Sequence, residues 1–343
     1  MDVSVIVRSK DEADRLRLTI AALSVQTVPP EVVVVDDGSS DHTGQVLDAA
    51  GSLLPLVRIG NPSPQGRAAA SNAGAAVASG DILLFLDGDV LAHPELIARH
   101  LELHRAHEGR VARGETWRLR QTRHFRDPAN GTPMAGEEDR VARMSPSERR
   151  AAQVTLEAVL DDFPSLETRA QPAIYSGGGP RRLYEIEMDA LYAAPHCPVL
   201  WAAASGHNFS VPREAFLSAG GFDPGLDINE HRELALRLCS LGLGVAPVAA
   251  RSYHMTHRSG WRDPLVDPAW LARFHRRHPI AAVALLPVLW SSLSDAPAFP
   301  ERARVTSLPA LAAAAARIPR GLSPERVLEE HLRLSADLEA EPA

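Results

Sequence analysis

Five apolar residues, Ile82-Leu83-Leu84-Phe85-Leu86, lie between Gly80 and an Asp87-Gly88-Asp89 turn. A run this short, closed by glycine at both ends, suits a strand buried on both faces, and such strands belong to sheets covered by helices. The two acids then emerge where the strand leaves the sheet, the edge at which open α/β sheets bind ligands. Two hard oxygen ligands around a glycine can hold Mg2+ or Mn2+ against a diphosphate. Asp and Gly also make ordinary turns, so the rest of the chain must decide between these readings.

A second buried run, residues 3–7, leads into Arg8-Ser9-Lys10-Asp11-Glu12, and a third, residues 32–35, ends at Asp36-Asp37-Gly38-Ser39-Ser40-Asp41. Between them Leu16, Ile20 and Leu23 recur at helical spacing. That predicts a strand-helix-strand unit with parallel strands and polar ends on the edge that carries Asp87. Carboxylates there can accept from a base N–H or a ribose hydroxyl. No Gly-x-Gly-x-x-Gly follows the first strand, which argues against a nicotinamide or flavin dehydrogenase. Asp41 is the better helix cap before Thr43.

Five segments occur in order: Val-Ser-Val-Ile-Val at 3–7, Val-Val-Asp-Asp-Gly-Ser-Ser-Asp at 34–41, Gly66 to Gly74 with Arg67 and Asn72, Gly80 to Asp89, and Gly220-Gly221-Phe222-Asp223. In this the chain resembles family 2 of the nucleotide-sugar-dependent glycosyltransferases, most closely over residues 1–105 and 200–258. The resemblance implies a GT-A fold, with a Rossmann-like, mostly parallel central sheet flanked by helices. It further implies that Asp36 and Asp37 contact the base and ribose side of a nucleoside diphosphate sugar. Arg8, Arg67 and Asn72 would lie near the nucleotide, and Asp87 and Asp89 would meet the ribose and, through Mg2+ or Mn2+, the diphosphate. Ser71 stands where relatives often have arginine.

The second block carries the acceptor side. Gly206, His207 and Asn208 resemble a segment lining the acceptor cleft, and Asn229-Glu230-His231-Arg232-Glu233-Leu234 resembles the helix start whose acidic pair supplies the catalytic base. Here Glu230 keeps the first acid and His231 replaces the second. Inverting transfer needs one group that takes a proton from the attacking hydroxyl, and either residue qualifies chemically. Relatives often carry a histidine after the last strand that reaches the metal, a place filled by His254 and His257, while Arg258 is a candidate phosphate clamp.

Composition limits the alternatives. A length of 343 residues with 45% hydrophobic content supports one large core, and a net charge of -7 without a basic, aromatic-rich stripe argues against nucleic acid. Two cysteines, Cys197 and Cys239, make no metal knuckle or disulfide framework and suit a cytoplasmic protein. Charges among the first twelve residues argue against a signal peptide, and the apolar stretch 280–290 falls far short of the roughly 20 residues of a membrane span. With no Gln-x-x-Arg-Trp motif either, the chain reads as a soluble, non-processive enzyme.

His100, His104 and His107 recur three and four apart and read as a partly exposed helical face rather than a metal site. Residues 110–120 read as a strand, Ser145-Pro146-Ser147-Glu148 as the capped start of a helix through Leu160, and Gly177-Gly178-Gly179-Pro180 as a loop that can absorb closure. The division expected is a GT-A domain over 1–258, made of a nucleotide half (1–105), a variable acceptor or lid segment (106–199) and an acceptor and base half (200–258), then a helical extension over 259–343. That extension can brace the domain, close the acceptor pocket or form a homodimer surface. The acceptor is expected to be a small molecule, a glycan precursor or a lipid-linked group, with a UDP-sugar as first donor. The competing readings are a retaining transferase and a catalytically silent nucleotide-sugar-binding scaffold.

Overall fold

The side chains of residues 3–7, 32–35 and 82–86 are apolar except Ser4, whose hydroxyl accepts from the Gly80 N–H, so these runs line up side by side inside. In the computed structural model, which describes residues 1–172, 183–257 and 264–340, each of these runs is buried throughout. The strands are β1 Val3–Ser9, β2 Glu31–Asp36, β3 Leu56–Gly60, β4 Ile82–Asp87, β5 Val90–Ala92, β6 Arg110–Leu119, β7 Phe125–Asp127, β8 Thr132–Pro133, β9 Gln171–Pro172, β10 Phe209–Pro212 and β11 Gly244–Met255. Nine of them form one sheet in the order β3-β2-β1-β4-β10-β6-β11-β5, with β9 pairing β6 beside that path. β7 and β8 pair separately as a two-stranded sheet.

The pairings of β1 with β2 and β4, of β2 with β3 and of β6 with β11 are parallel, while β10 runs antiparallel between β4 and β6. This is the expected mostly parallel GT-A plan with helices on its faces and a helical C-terminal region. Register explains why the polar strand ends converge: Arg8 pairs with Asp87 and Ser9 with Asp36. Because β10 is reversed, its beginning lies at that same edge, with Phe209 opposite Phe85. On the far side, His254 of β11 pairs with Val90 of β5, which carries a histidine to the Asp-Gly-Asp turn.

The helix Ala13–Ser24 forms as expected and buries Leu16, Ile20 and Leu23. Asp41 does cap: its carboxylate accepts from the Thr43 backbone N–H at 3.0 Å and, on its other oxygen, from the Ala13 N–H at 3.0 Å. One sequence expectation breaks at Gln153. Ser145 and Glu148 make the capping box, but that helix stops at Ala152, because the Val154 N–H turns away to the Pro128 carbonyl and Thr155 caps a new helix, Leu156–Leu160.

The helix Leu96–Ala106 corrects a second expectation. His100 and His104 are not on a partly exposed face: they are 0% and 3% exposed, and only His107 is exposed. His100 bonds Ser210 Oγ at 2.7 Å and Asn208 Oδ1 at 2.8 Å, and His104 Nε2 bonds the same Ser210 hydroxyl at 2.8 Å. Burial holds the two imidazoles down, to about 3 and about 4.

The C-terminal helices Ala269–Arg277, Leu308–Ala316 and Pro324–Ala340 share a core with the sheet rather than standing apart. Trp270 packs 5.2 Å from Trp290 and Phe274 lies 5.8 Å from Trp201. No helix among the described residues is long and apolar enough to cross a membrane. Gly177 to Pro180, the expected closure loop, lies outside the described residues.

Candidate active site

The Asp-Gly-Asp turn closes over Glu12, a residue that sequence patterning did not single out. A Cβ on Gly88 would come within 2.5 Å of Glu12 Oε1 and 2.8 Å of Ser9 Oγ, so only glycine fits between the two acids. Thr19 Oγ1 donates to the Gly88 carbonyl at 2.9 Å and fixes the turn from below. Burial, with Asp89 and Asp87 adding to it, pushes the Glu12 carboxyl well above its usual range. A third carboxyl behind the motif is invisible to spacing because it comes from the end of another strand.

Asp87 and Asp89 point to different partners. Asp87 accepts from Arg8 Nε at 2.7 Å and lies 3.5 Å from His207 Nδ1. Burial works against its ionisation, yet Arg8 and His207 hold it well below the ordinary carboxylate range. Asp89 is 4% exposed and gives one oxygen to two imidazoles, His254 at the end of β11 at 3.0 Å and His257 just after it at 2.7 Å. Burial opposes this charge too, and His254 and His257 overcome it. The ligand atoms of Asp89, His254 and His257 all lie within 4.8 Å of one another. Asp89 Oδ1 and His254 Nδ1 are buried without a hydrogen-bond partner among the described residues. Unpaired buried polar atoms are costly, and a cation accounts for this arrangement better than an apolar core does.

Arg8 joins the Asp-Gly-Asp turn to the start of the helix Glu230–Ser240. Its Nη1 donates to Glu230 Oε1 at 3.2 Å while its Nε holds Asp87. Glu230 begins the helix Glu230–Ser240 and is 3% exposed. Burial opposes its charge, but His231 and then Arg8 and Arg67 bring it down to about 2, so it is ionised at every working pH. His231 lies beside it, with Nδ1 3.7 Å from Glu230 Oε2.

The remaining expected site residues fall into two groups. His207 and Gly206 face this cluster. Asp36, half-buried at the strand end, accepts from the Ser39 N–H at 2.9 Å. Asp37 is turned towards the loop after β3, accepting from Asn61 Nδ2, the Gln65 N–H and the Gly66 N–H. Asn72 is a latch: its amide donates to the Phe222 carbonyl and accepts from the Phe222 N–H, both at 2.8 Å, so the Gly-Gly-Phe-Asp segment is tied to the nucleotide half. Asn208 is 0% exposed, and its amide faces inward to His100, Ser252 and the carbonyls of Glu115 and Ala250. Arg258 lies outside the described residues.

Residues 4–152 match the profile described as Glycosyl transferase family 2. That segment belongs to the family. The family 2 segment holds Arg8, Asp36, Asp37, Asp87 and Asp89, while Glu230, His254 and His257 lie beyond it. Validoxylamine A glucosyltransferase of Streptomyces hygroscopicus subsp. limoneus is 27% identical over 307 residues, 85% of this chain and 59% of that one. An uncharacterized glycosyltransferase of Bacillus subtilis, YfnE, is 33% identical over 120 residues, 34% of this chain and 31% of that one. The chain therefore spans 31% to 59% of the length of these curated relatives. Among solved structures, residues 1–349 of S. aureus TarS in complex with UDP are similar at a TM-score of 0.48 and 15% identity, over 85% of this chain and 69% of that chain.

Proposed function

We propose that this protein transfers one sugar at a time from a nucleoside diphosphate donor, a UDP-sugar first, to an acceptor hydroxyl with inversion. The observation that carries the reading is the convergence of Asp87, Asp89, His254, Arg8 and Glu230 at one sheet edge, within a fold whose first half belongs to a glycosyltransferase family. Cytoplasmic action on a small or lipid-linked acceptor completes the proposal.

Asp89, His254 and His257 would hold a divalent cation. One carboxylate with two imidazoles is a softer set than Mg2+ prefers, which favours Mn2+ of the two ions expected. When bound, such an ion offsets the charge that develops on a departing diphosphate. Asp87, clamped by Arg8, orients the ribose side of the donor. Glu230 takes the proton of the attacking hydroxyl as its oxygen bonds to the anomeric carbon, and the bond from that carbon to the diphosphate breaks with its electron pair leaving on the phosphate oxygen.

One observation favours a second reading, retention of configuration: an acid held at about 2 and paired to Arg8 is a weak proton acceptor. The anomeric form of the product separates the two. The first test is calorimetric titration of UDP, GDP and TDP, each with Mn2+ and with EDTA, into wild type and Asp89→Ala. Mn2+-dependent binding of one nucleotide, lost in the variant, supports the proposal; no binding of any nucleotide ends it.

A further inference from the structure

His231 takes the place where the sequence resemblance expects an acid, and its environment decides what it can do. Arg232 Nη1 lies 3.0 Å from His231 Nε2. A guanidinium carries only donors, so Nε2 must accept, and a neutral ring then bears its hydrogen on Nδ1. Arg232 is itself immobile: it donates to the Ala202 carbonyl at 2.7 Å, to Asn229 Oδ1 at 2.9 Å and to Glu187 Oε1 at 2.6 Å, and lies over the Trp290 ring at 5.3 Å. Glu187 is shared with Arg113 at 3.1 Å, so the whole support is buried and charge-paired. Burial, reinforced by Arg232 and Arg8 against the pull of Glu230, lowers the imidazole to about 4 and keeps it neutral.

His231 Nδ1 is buried yet has no hydrogen-bond partner among the described residues. It faces the backbone of Gly206. A methyl group built on that glycine would lie 3.3 Å from His231 Nδ1, 3.3 Å from Arg8 Nη2 and 3.8 Å from Glu230 Oε1. Two N–H donors and one carboxylate oxygen thus converge over the side-chain face of Gly206. A hydroxyl group, which accepts two hydrogen bonds and donates one, matches that set.

We propose that Arg8, Glu230 and His231 form a seat for one substrate hydroxyl against Gly206, with His231 serving as a fixed Nδ1–H donor and not as a base. The inference rests on the glycosyl-transfer reading and deepens it, because it leaves Glu230 as the only proton acceptor in the seat. It also gives the histidine substitution a purpose: an aspartate in that position would repel Glu230 and offer a hydroxyl no donor.

Two measurements test it. Long-range proton–nitrogen correlation spectra of the uniformly nitrogen-15-labelled protein at neutral pH, with His231 assigned by its loss in His231→Asn, report which ring nitrogen carries the hydrogen. The Nδ1–H form is expected, and an Nε2–H form overturns the inference whether or not any nucleotide binds. The second measurement compares UDP and UDP-glucose by titration with Mn2+, and release of glucose from UDP-glucose to water, for wild type, His231→Asn and His231→Phe. An asparagine amide can stand in for the Nδ1 donor, so His231→Asn is expected to lose several-fold and His231→Phe a further tenfold or more, roughly one lost hydrogen bond.

Weaker UDP-glucose binding with unchanged UDP binding assigns the seat to a hydroxyl of the donor sugar. Unchanged binding with slower release assigns it to the attacking oxygen. If His231→Asn falls as far as His231→Phe, the donor role is wrong. Failure of UDP and UDP-glucose to bind wild type overturns the glycosyl-transfer reading instead, a result the tautomer does not depend on.

Discussion

His254 and His257 meet at Asp89 on the lip of the cleft, whereas His100 and His104 meet at Ser210 behind it. In the rear pair the Ser210 hydroxyl serves both rings, and Asn208 completes His100. In the front pair Asp89 Oδ1 and His254 Nδ1 stay without a hydrogen-bond partner among the described residues. The residue types overlap and both groups are largely buried, so composition cannot separate them. Satisfaction does: a polar group whose bonds are met inside specifies the fold, while one that carries orphaned atoms is prepared for something from outside.

The largest effect that can break this comparison is functional. On the proposed reading, in which Asp89 holds the cation, Asp89→Ala is expected to lower Mn2+-dependent nucleotide affinity on the order of 100-fold while thermal unfolding moves only slightly. A large drop in unfolding temperature with unchanged affinity would place Asp89 in the rear class. His100→Ala should do the reverse, costing about 3 kcal/mol by opening a cavity, orphaning Asn208 Oδ1 and leaving Ser210 with His104 alone. Urea unfolding measures this, and nucleotide affinity for the folded fraction should stay within a few-fold.

Acid sharpens the contrast further. His100 and His104 sit at about 3 and about 4 when folded, below the usual 6.5 of a free imidazole. The unfolded chain therefore binds more protons than the folded one as pH falls from 6.5 towards 4, and stability is lost over that window. Each ring contributes at most about 1.4 kcal/mol per pH unit. Urea midpoints measured across this range should steepen towards acid, and His100→Asn should flatten the slope; an unchanged slope would mean these rings are not its source. Ser210→Ala gives the smallest effect, about 1–2 kcal/mol, since it removes one shared hydroxyl from two rings that are neutral in either case.

Strand ends were legible in the sequence because short apolar runs leave one fold class open, and the acids that follow them must emerge at one edge. The shared edge follows from that, while the register that sets Arg8 opposite Asp87 and Ser9 opposite Asp36 came only with the structure. Glu12 was missed because its significance depends on the glycine of a strand end seventy-six residues later, a contact that no period encodes. His100 and His104 were misread for a related cause: helical spacing says which side chains share a face, but not that a reversed strand carries a serine hydroxyl to meet them. Asn72 and Asn208 resemble ligand contacts in their motifs, and only tertiary bonding reveals that the Asn72 amide is committed to the Phe222 backbone and the Asn208 amide to His100, Ser252 and two carbonyls.

β10, the reversed strand between β4 and β6, bears on how such a chain can be altered by exchange with its relatives. β6 lies in the segment that matches the family profile, yet its main-chain partners in the large sheet, β9, β10 and β11, all come from beyond residue 152. A crossover at that boundary would leave one parent's strand edges to be paired by the other's, and mismatched edges invite aggregation. New specificities are therefore better grafted through the segments between β6 and β9 and between β9 and β10, where a swap leaves those ladders whole.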